Sequence, residues 1–239
     1  MKRAIFKMGR VARIDSHHKD ASFAVHVNVD EWETKLEDWD FDIEELSPIE
    51  EKGTTIRITT LDPRVKLSFA DPSFSNELIK TIGRDYAFVL QEGFSVKVGT
   101  VEVPDYAFRV KQGVDLAPAV VEYVDEGVQI KLVVGLIDDL AVEVPEQLKP
   151  EETDRFGWYI VCNDRVIVAG DKTNLTVWGD DTFPVWHNQY NGFGGFLFMQ
   201  SNDPKKLPWT TTKRNVDADD PLFLRARVHM KTLTKQFLS

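Results

Sequence analysis

Two short apolar runs, 158–161 and 166–169, flank Asn163-Asp164-Arg165, and this arrangement constrains the chain more than any other. The runs are too short for helices, and Asn-Asp suits a turn that needs positive φ. Residues 157–171 are therefore expected to form a tight β-hairpin. Period-two alternation marks further strands at 11–16, 23–29, 53–58 and 128–136, and a pair at 94–98 and 100–103 across Gly99. A different period governs 75–91, where Leu78, Ile79, Ile82, Tyr86 and Val89 form one stripe, with Ser75 as cap and Gly93 as stop. Near the end, Asp219-Asp220-Pro221 opens a helix through Phe237, with Leu222, Ala226, Met230, Leu233 and Phe237 on one face. Lys231 and Lys235 near its end suit the helix dipole. Strands and helices in this order predict an α+β protein.

The 239 residues suffice for one or two domains, and 42% of them are hydrophobic, enough to build cores. Acidic residues outnumber basic ones by 39 to 29, a net charge of -10 that argues against a general nucleic-acid-coating surface. The single cysteine, Cys162, excludes an internal disulfide framework and a Cys-rich zinc site, and its apolar surroundings predict a buried strand thiol. No apolar run approaches the roughly 18 residues of a membrane span, and no signal-peptide pattern opens the chain, so a cytoplasmic protein is expected. His17 and His18 are adjacent on a turn and point apart, which disfavours a shared metal. Asp138 and Asp139 have no third carboxylate at a useful spacing and read as part of a solvated loop over 138–154.

Residues 1–9 carry Ala4, Ile5 and Met8 at helical spacing, with Gly9 as the end and no capping residue before them. Residues 30–52 are acidic with interspersed Trp32, Trp39 and Phe41, a loop or ragged helix pinned by aromatics. Turn residues gather over 61–73, and a domain boundary is expected there, giving domains 1–62 and 63–239. Residues 104–125 read as an irregular excursion. Residues 178–191 combine Trp178, Phe183, Trp186, His187 and Tyr190, an aromatic loop packed over a sheet or, alternatively, a base-stacking platform.

The stretch 207–217 follows the apolar run 194–199 and precedes the last helix, with Thr212-Lys213 at its tip. It resembles the Gln-Thr-Lys loop of the gyrase B subunit, and with it the GHKL superfamily of gyrase, the ninety-kilodalton heat-shock chaperone, histidine kinases and MutL-type ATPases. Three anchors occur in order: Gly53-Thr54 before an alternating strand, the Asn163-Asp164-Arg165 hairpin similar to a Val-Asn-Gly-Arg hairpin, and Thr212-Lys213. Residues 1–4 look like those following the family's Gly-x-x-Gly-x-Gly lid. The resemblance implies a remnant of the GHKL α/β sandwich over 1–62. A transducer domain over 63–239 follows, with a mixed sheet, helices on one face and a left-handed βαβ unit.

It also implies roles. Lys213 would touch the terminal phosphate of ATP as the catalytic cation, while Lys2, Arg3, Thr54, Thr212 and Lys213 would bind nucleotide. ATP with Mg2+ would be the cofactors, and the Mg2+ ligand would lie outside these residues, as would the water-activating Glu and the adenine-reading Asp. Met1 would then be internal, the front half of the ATPase would be absent, and the fragment alone would be inactive. A homodimer is compatible with the family. The competing reading is a non-enzymatic interaction or single-stranded nucleic-acid binding module.

Overall fold

The computed structural model describes residues 2–34, 41–50, 52–106, 109–113, 117–138, 145–149, 155–180 and 183–239. The chain is α+β and divides into two compact units, Met1–Phe74 and Ser75–Ser239.

In the first unit, helix α1 (Lys2–Met8) ends where Gly9 opens strand β1 (Gly9–His17), and β2 (Ser22–Asn28) returns antiparallel to it. The described part of the acidic segment after β2 begins with a short helix. This is α2 (Val29–Thr34), and β3 (Ile43–Leu46) joins the sheet beside β2. Aromatic contacts supply the local core: Trp32 stacks on Phe6 at 5.8 Å and on Phe41 at 6.1 Å. Trp39 lies outside the described residues. Strand β4 (Gly53–Leu61) completes the order β3-β2-β1-β4, pairing Gly9 with Leu61 and Ser16 with Thr54.

Residues 61–73, the stretch of gathered turn residues, hold a helix. Asp62 accepts a hydrogen bond from the Arg64 N–H at 2.9 Å and caps α3 (Pro63–Ala70), with Pro63 in the first turn. Its missing N–H costs nothing there. The next helix also departs from expectation. It starts at Pro72, not after Ser75, and splits into α4 (Pro72–Asp85) and α5 (Ala87–Gln91). Tyr86, at φ -117° and ψ 18°, leaves helical geometry between them, and the Arg165 guanidinium covers its ring at 5.0 Å.

The second unit is built on a five-stranded mixed sheet. A small hairpin, β5 (Lys97–Val98) and β6 (Val101–Glu102), turns at Gly99 with φ 59°. The large sheet comprises β7 (Ala119–Asp125), β8 (Val128–Leu136), β9 (Gly157–Cys162), β10 (Arg165–Asp171) and β11 (Phe193–Gln200), in the order β10-β9-β11-β8-β7. Strand β7 occupies part of the span expected to be irregular. Among the described residues only β9 and β11 run parallel. They are bridged through β10 and the aromatic loop, and the long helix α6 (Pro221–Leu238) follows the last strand.

α6 covers one face of this sheet. Leu222, Phe223, Ala226, Met230 and Leu233 pack on alternate residues of β8, β9 and β11, including Ile130, Leu132, Trp158, Ile160, Leu197 and Met199. The opposite face carries Tyr159, Val161, Val166 and Phe196, with Phe88 of α5 against Phe198 at 5.3 Å. Strand alternation accounts for both layers, because neighbouring side chains on a strand point to opposite faces.

Candidate functional site

The loop between β11 and α6 is held at both feet. Leu207 and Val216 are buried in the α6-side core. Trp209 and Val216 form an antiparallel bridge, and the Thr210 N–H donates to the Asn215 carbonyl at 3.0 Å. Below it the Asp217 N–H donates to the Pro208 carbonyl at 2.7 Å. At the tip, the Lys213 N–H closes a turn on the Thr210 carbonyl at 2.8 Å. Such a loop has few ways to move its tip, since its ends and its neck are fixed.

Lys213 sits at that tip with φ 54°, a left-handed conformation that a side chain with a Cβ adopts at a cost of about 1–2 kcal/mol. Its side chain is exposed, and Nζ lies over the Trp209 ring at 4.1 Å from the centroid. Thr212 is exposed beside it, its hydroxyl 3.2 Å from that of Thr210. Arg214 is exposed as well, so the tip presents two adjacent cations. A preset cationic tip with a hydroxyl beside it can receive an anionic oxygen without reordering its backbone.

The remaining nucleotide candidates lie in the other unit. Lys2 and Arg3 open α1, and Thr54 lies on β4 within 3.3 Å of the Ser16 hydroxyl. Gly9 pairs with Leu61 where α1 joins the ladder, whereas Thr54 is seven residues further along the strand. That is about 23 Å from the junction at ordinary strand rise. Lys213 and Thr212 are thus brought together, and Lys2, Arg3 and Thr54 belong to a separate unit.

The Asn163 hairpin is architectural. Asn163 and Asp164 have φ of 44° and 62°, the pair of positive values a two-residue turn requires. The Asn163 side chain then donates to the Ser201 carbonyl and accepts from its N–H, both at 2.9 Å, tying the turn to the end of β11. The aromatic loop is also packing. Trp178 is 1% exposed and lies against Trp186, Tyr190, Phe193 and Phe183 at centroid distances of 4.6, 5.0, 5.3 and 6.1 Å. Its ring has no free face on which a base could stack. Burial pushes the Cys162 thiol up to about 12, which removes it as a nucleophile near neutral pH.

His18 stays on its turn, accepting from the Asp20 N–H at 3.2 Å. Asp139 lies outside the described residues. Among the described residues no group of three or more His, Cys, Asp or Glu side chains is placed to hold a metal ion, and no helix is long and apolar enough to cross a membrane. Sequence reasoning missed the role of Trp209 as the support of Lys213. The available signal was an aromatic residue just before a polar tip, with apolar feet at Leu207 and Val216.

What the fold and the loop define is an α+β protein with a stapled cationic loop between its last strand and last helix. No family model and no curated protein matches the chain. Among solved structures it is similar to the B-subunit of DNA gyrase from Myxococcus xanthus at 11% identity and TM-score 0.38, over 95% of this chain and 66% of that one. It is similar to the 43K ATPase domain of Thermus thermophilus gyrase B at 8% and 0.37, over 97% and 68%. The topoisomerase IV ATP binding domain of Francisella tularensis gives 9% and 0.44, over 99% and 66%. The chain therefore spans about two thirds of the length of these structures. Such identities and TM-scores assign it neither a family nor an activity.

Proposed function

We propose that the chain is the transducer-side part of a GHKL-type ATP-binding protein, in which Lys213 meets the terminal phosphate of ATP. The observation that carries this reading is the loop tip: an exposed ammonium at φ 54° on a loop whose feet are buried. The ordered motifs Gly53-Thr54, Asn163-Asp164-Arg165 and Thr212-Lys213 support it from the sequence. In phosphoryl transfer, negative charge gathers on the terminal phosphate oxygens, and a positioned cation lowers the barrier. Lys213 supplies that cation, with the Thr212 hydroxyl as an adjacent donor.

Lys2, Arg3 and Thr54 are assigned to the same nucleotide on the family resemblance alone. A lysine carried on a transducer domain would couple ATP binding to domain movement, and a homodimer belongs to the same proposal. Magnesium would accompany the ATP, with ligands other than a cluster of three or more His, Cys, Asp or Glu among the described residues.

The test is ATP turnover by the gene product that carries these residues. Lys213→Ala is expected to lower kcat about 100-fold with little change in KM, because the cation acts on the transition state. Lys213→Arg should retain part of the activity. Unchanged turnover in Lys213→Ala overturns the role of the lysine, and a gene product that neither binds nor hydrolyses ATP overturns the whole reading.

A further inference from the structure

Strand β7 is an edge of the five-stranded sheet and pairs with β8 alone among the described residues. Its hairpin turn is Glu126-Gly127, with φ of 51° and 81°, and Asp125 faces Val128 across it. A two-residue turn makes that flanking pair hydrogen-bonded, so alternate residues Tyr123, Val121 and Ala119 spend their backbone groups on β8. Val120, Glu122 and Val124 consequently turn their N–H and C=O groups outward. Natural edges are usually blunted by proline, bulges or lysine. β7 has no proline, no lysine and an unbroken register over seven residues. Two of its outward positions are apolar and open, Val120 at 49% and Val124 at 68% exposure.

Beside this edge, on the face away from α6, lies a cavity of about 580 Å³ whose lining includes Glu122, Val124, Gln129, Lys131, Asp164 and Phe198. Phe198 is held in place by Phe88 at 5.3 Å and Phe196 at 5.9 Å. The charges are unevenly matched. Lys131 pairs with Glu122 at 2.6 Å, whereas Asp164 receives only the neutral Gln200 amide, at 2.9 Å, among the described residues. An open strand edge thus adjoins an aromatic ring and an unneutralised carboxylate. A cation is drawn to both, to the ring face and to the carboxylate.

We propose that β7 takes up an extended basic segment of a partner protein as a sixth strand, with a lysine or arginine side chain entering the cavity over Phe198 to reach Asp164. Main-chain bonding to the outward groups of Val120, Glu122 and Val124 supplies affinity, and the cavity supplies selectivity. The net charge of -10 favours the same partner at longer range. This inference is independent of the nucleotide reading.

Fluorescence anisotropy with a labelled heptapeptide alternating lysine and valine tests it. The peptide is expected to bind saturably, and its counterpart with glutamate for lysine is not. Val124→Pro removes an outward N–H without touching the β7–β8 bonds, and should weaken binding about tenfold. Asp164→Asn keeps a residue suited to positive φ, so the turn survives while binding falls roughly fivefold. Equal binding of the glutamate peptide, or undiminished affinity in both variants, overturns the proposal. So does a dimer in analytical ultracentrifugation that Val124→Pro dissociates, since the edge would then belong to a second copy.

Discussion

The Nζ of Lys213 lies 4.1 Å from the centroid of the Trp209 ring, so one of the loop's two exposed cations is parked on a side chain of its own neck. Trp209 in turn packs against the buried core beneath α6. The contact holds the ammonium at a defined place without neutralising it. At an exposed site it contributes only about 0.5–1 kcal/mol, weak enough for an anionic ligand to displace.

A double-mutant cycle on this pair is the most direct check. Lys213→Ala and Trp209→Leu should couple by about 0.5–1 kcal/mol in urea denaturation. Additive effects would mean that the ring does not hold the lysine in solution.

The backbone at Lys213 makes a separate prediction. At φ 54° glycine is free of the penalty that a Cβ brings. Lys213→Gly should therefore be more stable than Lys213→Ala by about 1 kcal/mol, since both lose the same charge. Equal midpoints for the two variants would place the residue in another conformation.

Gly195 and Trp158 approach closely in the core. A Cβ on Gly195 would stand 2.5 Å from the Trp158 ring, which is fully buried and donates its N–H to the Thr234 hydroxyl at 3.3 Å. The ring cannot yield without losing that bond. Gly195→Ala should cost about 3 kcal/mol, and Thr234→Val about 1–3 kcal/mol by orphaning the indole. Denaturation midpoints read both.

Cys162 links stability to alkaline pH. Burial, with Asp220 adding to it, raises its thiol to about 12, above the unfolded value of about 8.5. The folded state keeps the proton that the unfolded state loses, so its contribution is complete below about 8.5 and is lost between there and about 12. Cys162→Ala should flatten that part of the decline. Native protein at pH 8 should resist a thiol reagent that labels it at once in denaturant, and equal labelling rates would refute the burial.

Acid acts through Asp180. Its carboxylate receives Lys231 at 2.6 Å and Arg227 at 2.9 Å, and these hold it below the usual carboxylate range. Arg227 also donates to the Leu175 carbonyl at 3.1 Å, so the pair ties the aromatic loop to α6. A depressed folded pKa means stability that is present above the unfolded value of about 3.9 and lost as pH falls through the folded one. Asp180→Asn should lower the neutral-pH midpoint and shrink the acid dependence below pH 4. An unchanged acid limb would exclude the pair.

Some of this architecture was readable residue by residue. Asn163-Asp164 announced a turn of positive φ, and both residues adopt it. Asp220-Pro221 announced a helix start, and Asp220 accepts from the Leu222 N–H at 2.8 Å. Other signals were ambiguous. Asp62-Pro63 carries the same cap-and-proline pattern as Asp220-Pro221, yet the residues that follow show no buried stripe, and none of α3 is buried. β7 hid because Val120 and Val121 are adjacent apolar residues, and on an edge strand one of the two faces solvent.

The sequence by itself determined the local choices: hairpin turns, caps, alternating strands and the apolar stripe of α6. These depend on interactions within a few residues, where side-chain chemistry decides backbone conformation. Only the tertiary structure decided that β11 lies between β9 and β8, that β7 is left as an edge, and that Lys213 rests on Trp209. Those outcomes depend on which apolar faces meet and on how a loop closes between buried feet. No rule of spacing along the chain encodes them.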